Sequence, residues 1–303
     1  MSAPSGWLVV GSTAAGSSGE ELIESVAGHL ARHAPTEAAV TADEEQLADV
    51  LRSCGDRVLV VVGGDGSAHL VVNVLARMEL LDATTVGFVP LGTANDVATH
   101  LGMAAEGREA ARQLCGGRVR RLDLLRLDAD ALDGPELVVN ALHAGLGVDG
   151  ARRARPLKRV LGPVAYPVGV VSSGLVSSGS VVEVRLDGEV VDLGGPALAV
   201  AIANGPRLGG VELLAGASVD DGQLDLLAVP ARPWWARAAS VARIAGRTPS
   251  SVELREGRTV ELEGDLGEVD ADGEMVRTGA RCRVEVVPGA LRVVAPGPAQ
   301  PPM

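Results

Sequence analysis

The sequence predicts an α/β N-terminal domain with a parallel sheet, followed by a C-terminal β-sandwich domain. Three observations lead there. Over the first 120 or so residues, short apolar runs alternate with segments whose apolar residues recur at helical spacing, the pattern of a parallel sheet covered on both faces. After Arg118 the helical spacing fades, and strand-like runs follow one another across Asp187-Gly188, Asp221-Gly222 and Asp272-Gly273 turns. The 303 residues are 47% hydrophobic, enough for two ordinary cores. The expected division is residues 1–120, a β-sandwich over 121–297, and a flexible tail over 298–303.

In order, Trp7 to Val10 is a short strand running into Ser12-Thr13-Ala14-Ala15-Gly16. A helix follows with Leu22, Ile23, Val26 and Leu30 on one face. A second helix spans Glu44 to Ser53, with Leu47, Val50 and Leu51 inward. Then come a strand at Val58 to Val62, a helix after Ser67, a strand at Val86 to Val89 and a helix from Asn95. Gly116-Gly117 ends a last helix over Gly107 to Leu114. In the second domain, strands are expected at Arg121–Leu127, Leu137–Leu142, Val181–Leu186, Leu198–Ala203 and Leu224–Val229. Four more are expected at Val252–Leu254, Val260–Leu262, Arg283–Val287 and Leu291–Val294. Helices interrupt near Ala151–Ser177 and Pro233–Ala245.

Composition narrows the function. A net charge of −12 argues against general nucleic-acid binding, which needs a broad basic surface. It also disfavours simple adhesion to anionic lipid, although a local basic patch could still act there. Lys158 is the one lysine, so a proton acceptor must be sought among Asp, Glu and His. Cys54, Cys115 and Cys282 are odd in number and far apart, without zinc or redox spacing, and read as buried reduced thiols. Met1 to Gly6 has no basic n-region, and no apolar run reaches a spanning length. The expected location is cytoplasmic, with peripheral membrane association left open.

Two glycine-rich turns carry most of the functional signal. Gly63-Gly64-Asp65-Gly66-Ser67 follows the strand at Val58, and Pro90-Leu91-Gly92-Thr93-Ala94-Asn95-Asp96 follows the strand at Val86. Glycine lets backbone approach a ligand closely, and the helix start behind it offers free N–H groups and a partial positive charge. Two such turns at the carboxyl ends of one sheet would face one crevice and form a nucleotide-phosphate site. Read alone, each could be a tight strand–helix connection, with Ser67 as an N-cap. Neither is a Walker A loop or a dinucleotide Gly-x-Gly-x-x-Gly turn.

With these turns, the chain resembles the diacylglycerol kinase catalytic-domain family, which includes bacterial lipid kinases and sphingosine kinases. Gly63 to Ser67 matches the family's Gly-Gly-Asp-Gly-Thr, and Pro90 to Asp96 its Pro-Leu-Gly-Thr-x-Asn-Asp. Further resemblances run through Asn140 to Asp149, Leu161 to Tyr166, Asn204-Gly205 with Gly209-Gly210, Ala217 to Asp225, and Asp272-Gly273-Glu274. The resemblance implies an NAD kinase/diacylglycerol kinase-like first domain and transfer of the γ-phosphate of ATP to a lipid hydroxyl, a step of phospholipid metabolism. It implies Glu274 as general base and Asp65 among the phosphates, organising magnesium or water. Gly64, Gly66, Ser67 and Thr93 would line the phosphates, with Asn95 and Asp96 in the same crevice. Ser12, Thr13, Ala14, Ala15 and Gly16, with Thr41, would complete the nucleotide site. A structural Mg²⁺ would be held by the carbonyls of Ser218 and Gln223 and the carboxylate of Asp221. The acceptor would enter a cleft between the domains. By their residues alone, Glu274 reads as a solvated turn carboxylate and Asp221-Gly222 as a turn without metal.

The chain also departs from the family pattern. Ser12 to Gly16 stands where the family has Asn-Pro-x-Ser-Gly; Leu70 replaces a common Glu, and Thr99 a common Arg. These departures keep open a catalytically silent nucleotide-binding regulator, and Gly-Gly-Asp-Gly, which the NAD kinase family also carries, keeps open an NAD kinase-like enzyme. Arg152 to Arg159 and Trp234-Trp235 could face a bilayer or simply cover a helix. The partner expected is a lipid alcohol at a membrane surface, not nucleic acid; a homodimer is left open.

Overall fold

The computed structural model describes residues 5–145, 182–195, 197–230 and 253–297. The chain divides into two compact units. One is Met1–Asp123 together with Gly289–Met303, the other Leu124–Pro288.

The first unit alternates strand and helix as the spacing predicts: β1 (Trp7–Ser12), α1 (Gly16–Leu30), β2 (Thr36–Thr41), α2 (Glu44–Arg52), β3 (Val58–Gly63), α3 (Asp65–Arg77), β4 (Thr85–Pro90), α4 (Asp96–His100) and α5 (Gly107–Cys115). The strands lie in the order β2-β1-β3-β4, all parallel, with Trp7 opposite both Thr36 and Val58, and Val58 opposite Thr85. β1, β3 and β4 are buried almost end to end, because helices cover both faces of a parallel sheet; hence their unbroken Val-rich runs. β2 carries no such run: its residues are mostly exposed or half-buried, and the sequence shows no strand there. It forms because β1 leaves an open row of backbone groups that it satisfies. The helices are locally specified. Asp43 caps α2 by accepting from the Gln46 N–H at 2.9 Å, and Glu106 caps α5 by accepting from the N–H groups of Arg108 and Glu109. On α1 the inward face is Ile23, Val26 and Leu30, all buried.

In the second unit the described strands are the end of β5 (Arg118–Ala129), β6 (Glu136–Val138), β7 (Ala141–Gly145), β8 (Val182–Leu186), β9 (Glu189–Val190), β10 (Ala197–Ala203), β11 (Arg207–Leu208), β12 (Val211–Glu212), β13 (Leu224–Pro230), β14 (Glu253–Gly257), β15 (Thr259–Ala271) and most of β16 (Glu274–Ala295). One antiparallel series runs β14-β13-β10-β7-β15. β15 serves two layers: its first half pairs with β8 and its last residues with β7, and its pairing with β16 shifts register between Glu263 and Glu268. Gly264 and Gly267 both have positive φ there, so the strand can bend from one layer to the other and close a β-sandwich-like core. Leu125, Leu142, Ile202, Leu226, Val260, Val269 and Val284 fill that core.

Strand boundaries depart from the linear pattern where side chains intervene. The sequence predicts one strand over Leu137–Leu142; the structure splits it into β6 and β7, because the backbone N–H groups of Val139, Asn140 and Ala141 donate to the Asp272 carboxylate instead. Arg283–Val287 and Leu291–Val294, expected as two strands, are parts of the single β16. Its last residues belong to the first unit, where Arg292 and Val293 pair in parallel with Thr85 and Val86. The sequence boundary places all of 121–297 in the second domain; hydrogen bonding along β4 draws the end of that segment into the first. The segments Leu146 to Asp149, Leu161 to Tyr166, Arg152 to Arg159 and Pro233 to Ala245, and the tail 298–303, lie outside the described residues.

Candidate active site

In a parallel sheet the carboxyl ends share one edge. Here that edge carries Thr41, Ser12, Gly63 and Pro90 in a row, since Ser12 lies opposite Thr41, Gly11 opposite Val62, and Gly63 opposite Pro90. The order β2-β1-β3-β4 reverses direction between β1 and β3, and ligands of open α/β sheets bind at such a switch point. Ser12 to Gly16 leaves the edge as a single 3₁₀ turn, with the Ser12 hydroxyl accepting from the Ala14 N–H at 3.2 Å. Gly16 turns the chain at φ 66° into α1. Thr13, Ala14 and Gly16 are exposed. Thr41 is buried, its hydroxyl directed at the Gly11 carbonyl at 3.4 Å.

The two glycine turns meet. A Cβ at Gly64 would lie 3.0 Å from the Gly92 Cα, and a Cβ at Gly92 would lie 2.8 Å from the Gly64 Cα and 2.9 Å from Asn95 Oδ1. Backbone packs directly on backbone, which no larger residue permits. The second turn is locked by Asn95, whose Oδ1 accepts from the Gly92 N–H at 2.7 Å while its Nδ2 donates to the Gly92 carbonyl at 2.8 Å. Asn95 itself is left-handed, at φ 51°, a conformation Asn tolerates better than most residues. Asp65 ties the turns together: its Oδ1 accepts from the Val97 N–H of α4 at 3.1 Å. Ser67 packs over Gly63, and its N–H donates to the Gly64 carbonyl at 3.0 Å. Gly92 and Thr93 are exposed, Gly64 to Ser67 half-buried, and Asp96 buried at the start of α4. The structure thus brings Ser12 to Gly16, Thr41, Gly64 to Ser67, Thr93, Asn95 and Asp96 to one edge. That edge carries the start of α3 and the hydroxyl residues Ser67 and Thr93, groups suited to phosphate oxygens.

Glu274 belongs to the second unit. It is exposed and opens β16 opposite Ala271, directly after the Asp272-Gly273 turn. Both turn residues have positive φ, 52° and 94°, as a tight hairpin requires. Asp272 fixes this turn: Oδ2 accepts from Val139 N–H at 2.7 Å, and Oδ1 from Asn140 and Ala141 at 2.8 and 3.0 Å. Asp272 N–H donates to the Ala141 carbonyl, and Gly273 N–H to Asp270 Oδ1 at 2.8 Å. Asp-Gly signals the turn in sequence, but nothing linear signals that its carboxylate caps a segment 130 residues earlier.

Near Ser218, Asp221 and Gln223, Asp221 Oδ1 accepts from the Gln223 N–H at 2.9 Å, and the Ser218 hydroxyl donates to Asp220. Asp225 stands directly across from Glu256 in the β13–β14 pairing. Burial first, then the charges of Glu256 and Asp221, raise Asp225 from 3.8 to about 6. A carboxylate such as Asp221 beside backbone carbonyls is the hard-oxygen donor type that Mg²⁺ takes.

Comparison with known proteins shows the family and the fold. Residues 5–127 match the family model described as the diacylglycerol kinase catalytic domain, and residues 140–295 the YegS C-terminal NAD kinase beta sandwich-like domain. A Stenotrophomonas maltophilia (strain K279a) protein named "probable lipid kinase YegS-like" is 30% identical, over 98% of this chain and 97% of its own length. A Pseudomonas aeruginosa (strain UCBPP-PA14) protein of the same name is 32% identical, over 84% of this chain and 82% of its own. The crystal structure of a diacylglycerol kinase from Bacillus anthracis str. Sterne superposes with a TM-score of 0.72 at 20% identity, covering 97% of this chain and 98% of that one; at that identity the likeness concerns the fold.

Proposed function

Because the chain belongs to the diacylglycerol kinase catalytic-domain family, we propose that it transfers the γ-phosphate of ATP to the hydroxyl of a diacylglycerol-like or related lipid. The observation that carries this reading is the backbone contact between the Gly64 and Gly92 turns, at the carboxyl ends of β3 and β4 and next to the switch point of the sheet. There the N–H groups of Gly64 and Gly66 and the hydroxyls of Ser67 and Thr93 would line one phosphate chain. Ser12 to Gly16 and Thr41 flank it on the nucleotide side. Asp65 holds the starts of α3 and α4 in register, so the cradle is rigid before ATP arrives.

Phosphoryl transfer depends on positioning and charge neutralisation, and the acceptor alcohol must lose a proton. Glu274 takes that proton as general base. Asp272 is its positioning residue, fixing the turn that presents the carboxylate. The carbonyls of Ser218 and Gln223 with the Asp221 carboxylate would hold Mg²⁺. Bound there, it would neutralise the acidic crowding around Asp225. A lipid acceptor would be met at the membrane surface; no helix among the described residues is long and apolar enough to cross a membrane.

The test is direct. Purified protein with γ-labelled ATP, Mg²⁺ and mixed micelles of extracted lipids should yield labelled phospholipid. Glu274→Gln should lower turnover by about 10²–10⁴-fold with an unchanged melting curve. Labelling that survives Glu274→Gln removes the base. ATP binding by calorimetry without turnover on any lipid favours the regulatory reading, which the altered Ser12 to Gly16 segment motivates.

A further inference from the structure

Linear spacing gives the cysteines no metal partners, but the fold does. We propose that His29, His33 and Cys115 form a binding site for one zinc-class divalent ion in the first unit. One ring nitrogen from each histidine and the Cys115 sulfur lie within 4.8 Å of one another. His29 and His33 are four residues apart, on the last turn of α1 and its continuation, so their rings share a face, with centroids 5.5 Å apart. Cys115 is the last residue of α5. The carboxyl ends of both helices therefore point at the cluster, and their partial negative charge favours a cation.

His29 carries an independent sign of a missing partner: its Nε2 is buried and meets no hydrogen-bond partner among the described residues. Arg32, which contacts His29 Nδ1, is a competing positive charge, but it sits on an exposed turn and can swing into solvent. A tetrahedral ion with bonds of about 2.0–2.3 Å keeps its ligands roughly 3.3–3.8 Å apart. Rotation of the exposed His33 closes the difference. Two imidazoles and a thiolate are a borderline-soft set that selects zinc over Mg²⁺, with water completing the four-coordinate shell. On binding, the Cys115 thiol gives its proton to solvent. Along α1 the site lies about 20 Å from Gly16, remote from the phosphate cradle.

The experiment uses the full chain, stripped of metal by a chelator. Co²⁺ should bind with one equivalent that shows a thiolate-to-metal charge-transfer band, and Zn²⁺ should displace it while excess Mg²⁺ does not. Cys115→Ser should abolish the band, and His33→Ala should weaken Zn²⁺ binding at least tenfold. Arg32→Ala, which removes the competing guanidinium, should tighten it several-fold. A band that persists in Cys115→Ser, assigning the thiolate to Cys54 or Cys282, overturns the site; so does a wild-type protein with no band. Zn²⁺ affinity unchanged in both His33→Ala and Arg32→Ala overturns it as well.

Discussion

A methyl group added at Gly92 has nowhere to go, since it would press on the Gly64 backbone and on Asn95 at once. Gly92→Ala should push the two turns apart, lower stability by about 1–3 kcal/mol and weaken ATP binding at least tenfold, as measured by urea unfolding and calorimetry. Gly28 is the contrast. It lies within α1, is exposed, and an added Cβ there meets nothing. Gly28→Ala should raise stability by about 0.5–1 kcal/mol and leave nucleotide binding alone. Both glycines are plain in the sequence, but only the neighbours brought by folding separate them. Asp272 makes the same point more sharply. Three backbone N–H groups converge on its carboxylate, and Asp272→Ala strands them inside the second unit. A loss of about 3 kcal/mol should appear in urea, with turnover falling because Glu274 loses its mount.

At the scale of elements, the strands buried on both faces were legible and the edge strand was not. β1, β3 and β4 announce themselves as apolar runs, whereas β2 is held by main-chain pairing that leaves no side-chain signature. Likewise β15 reads as a short strand because its middle, Glu263 to Gly267, is polar and glycine-rich; those residues form the bend between layers. The β13–β14 pairing carries a titration consequence. The folded Asp225 pKa is raised to about 6 from 3.8, so between those values the folded state binds more protons than the unfolded one. Stability should therefore fall as pH rises through that window. The half-exposed site is screened, so the loss is about 1–2 kcal/mol. Urea midpoints at pH 4 and pH 7 should show it, Asp225→Asn should flatten the curve, and Mg²⁺ should restore stability at the higher pH.

For the whole molecule, the change of rhythm near residue 120 marks where the chain leaves the first unit, at Asp123. Its return does not show in the sequence. Leu291 to Val294 has the same alternation as the strands before it, and which sheet it joins depends on β4 having an open side. A fragment ending at residue 123 would expose that side and the apolar groups behind it. Such a fragment should aggregate, whereas adding residues 289–303 as a separate peptide should restore solubility and a cooperative melt. The two glycine turns were legible as motifs, but their mutual approach was only an inference from strand order until the contact of Gly64 and Gly92 was seen.

Asp123 and Gly289 stand at the exit and re-entry points, joined by a 2.7 Å hydrogen bond from the Gly289 N–H to the Asp123 carboxylate. The intervening 165 residues, Leu124–Pro288, are thus a cassette whose ends start and finish at one doorway. A two- or three-residue splice across that doorway should excise the cassette and leave a self-sufficient first unit. Grafting a different acceptor module into the same slot would then be a matter of matching two chain ends.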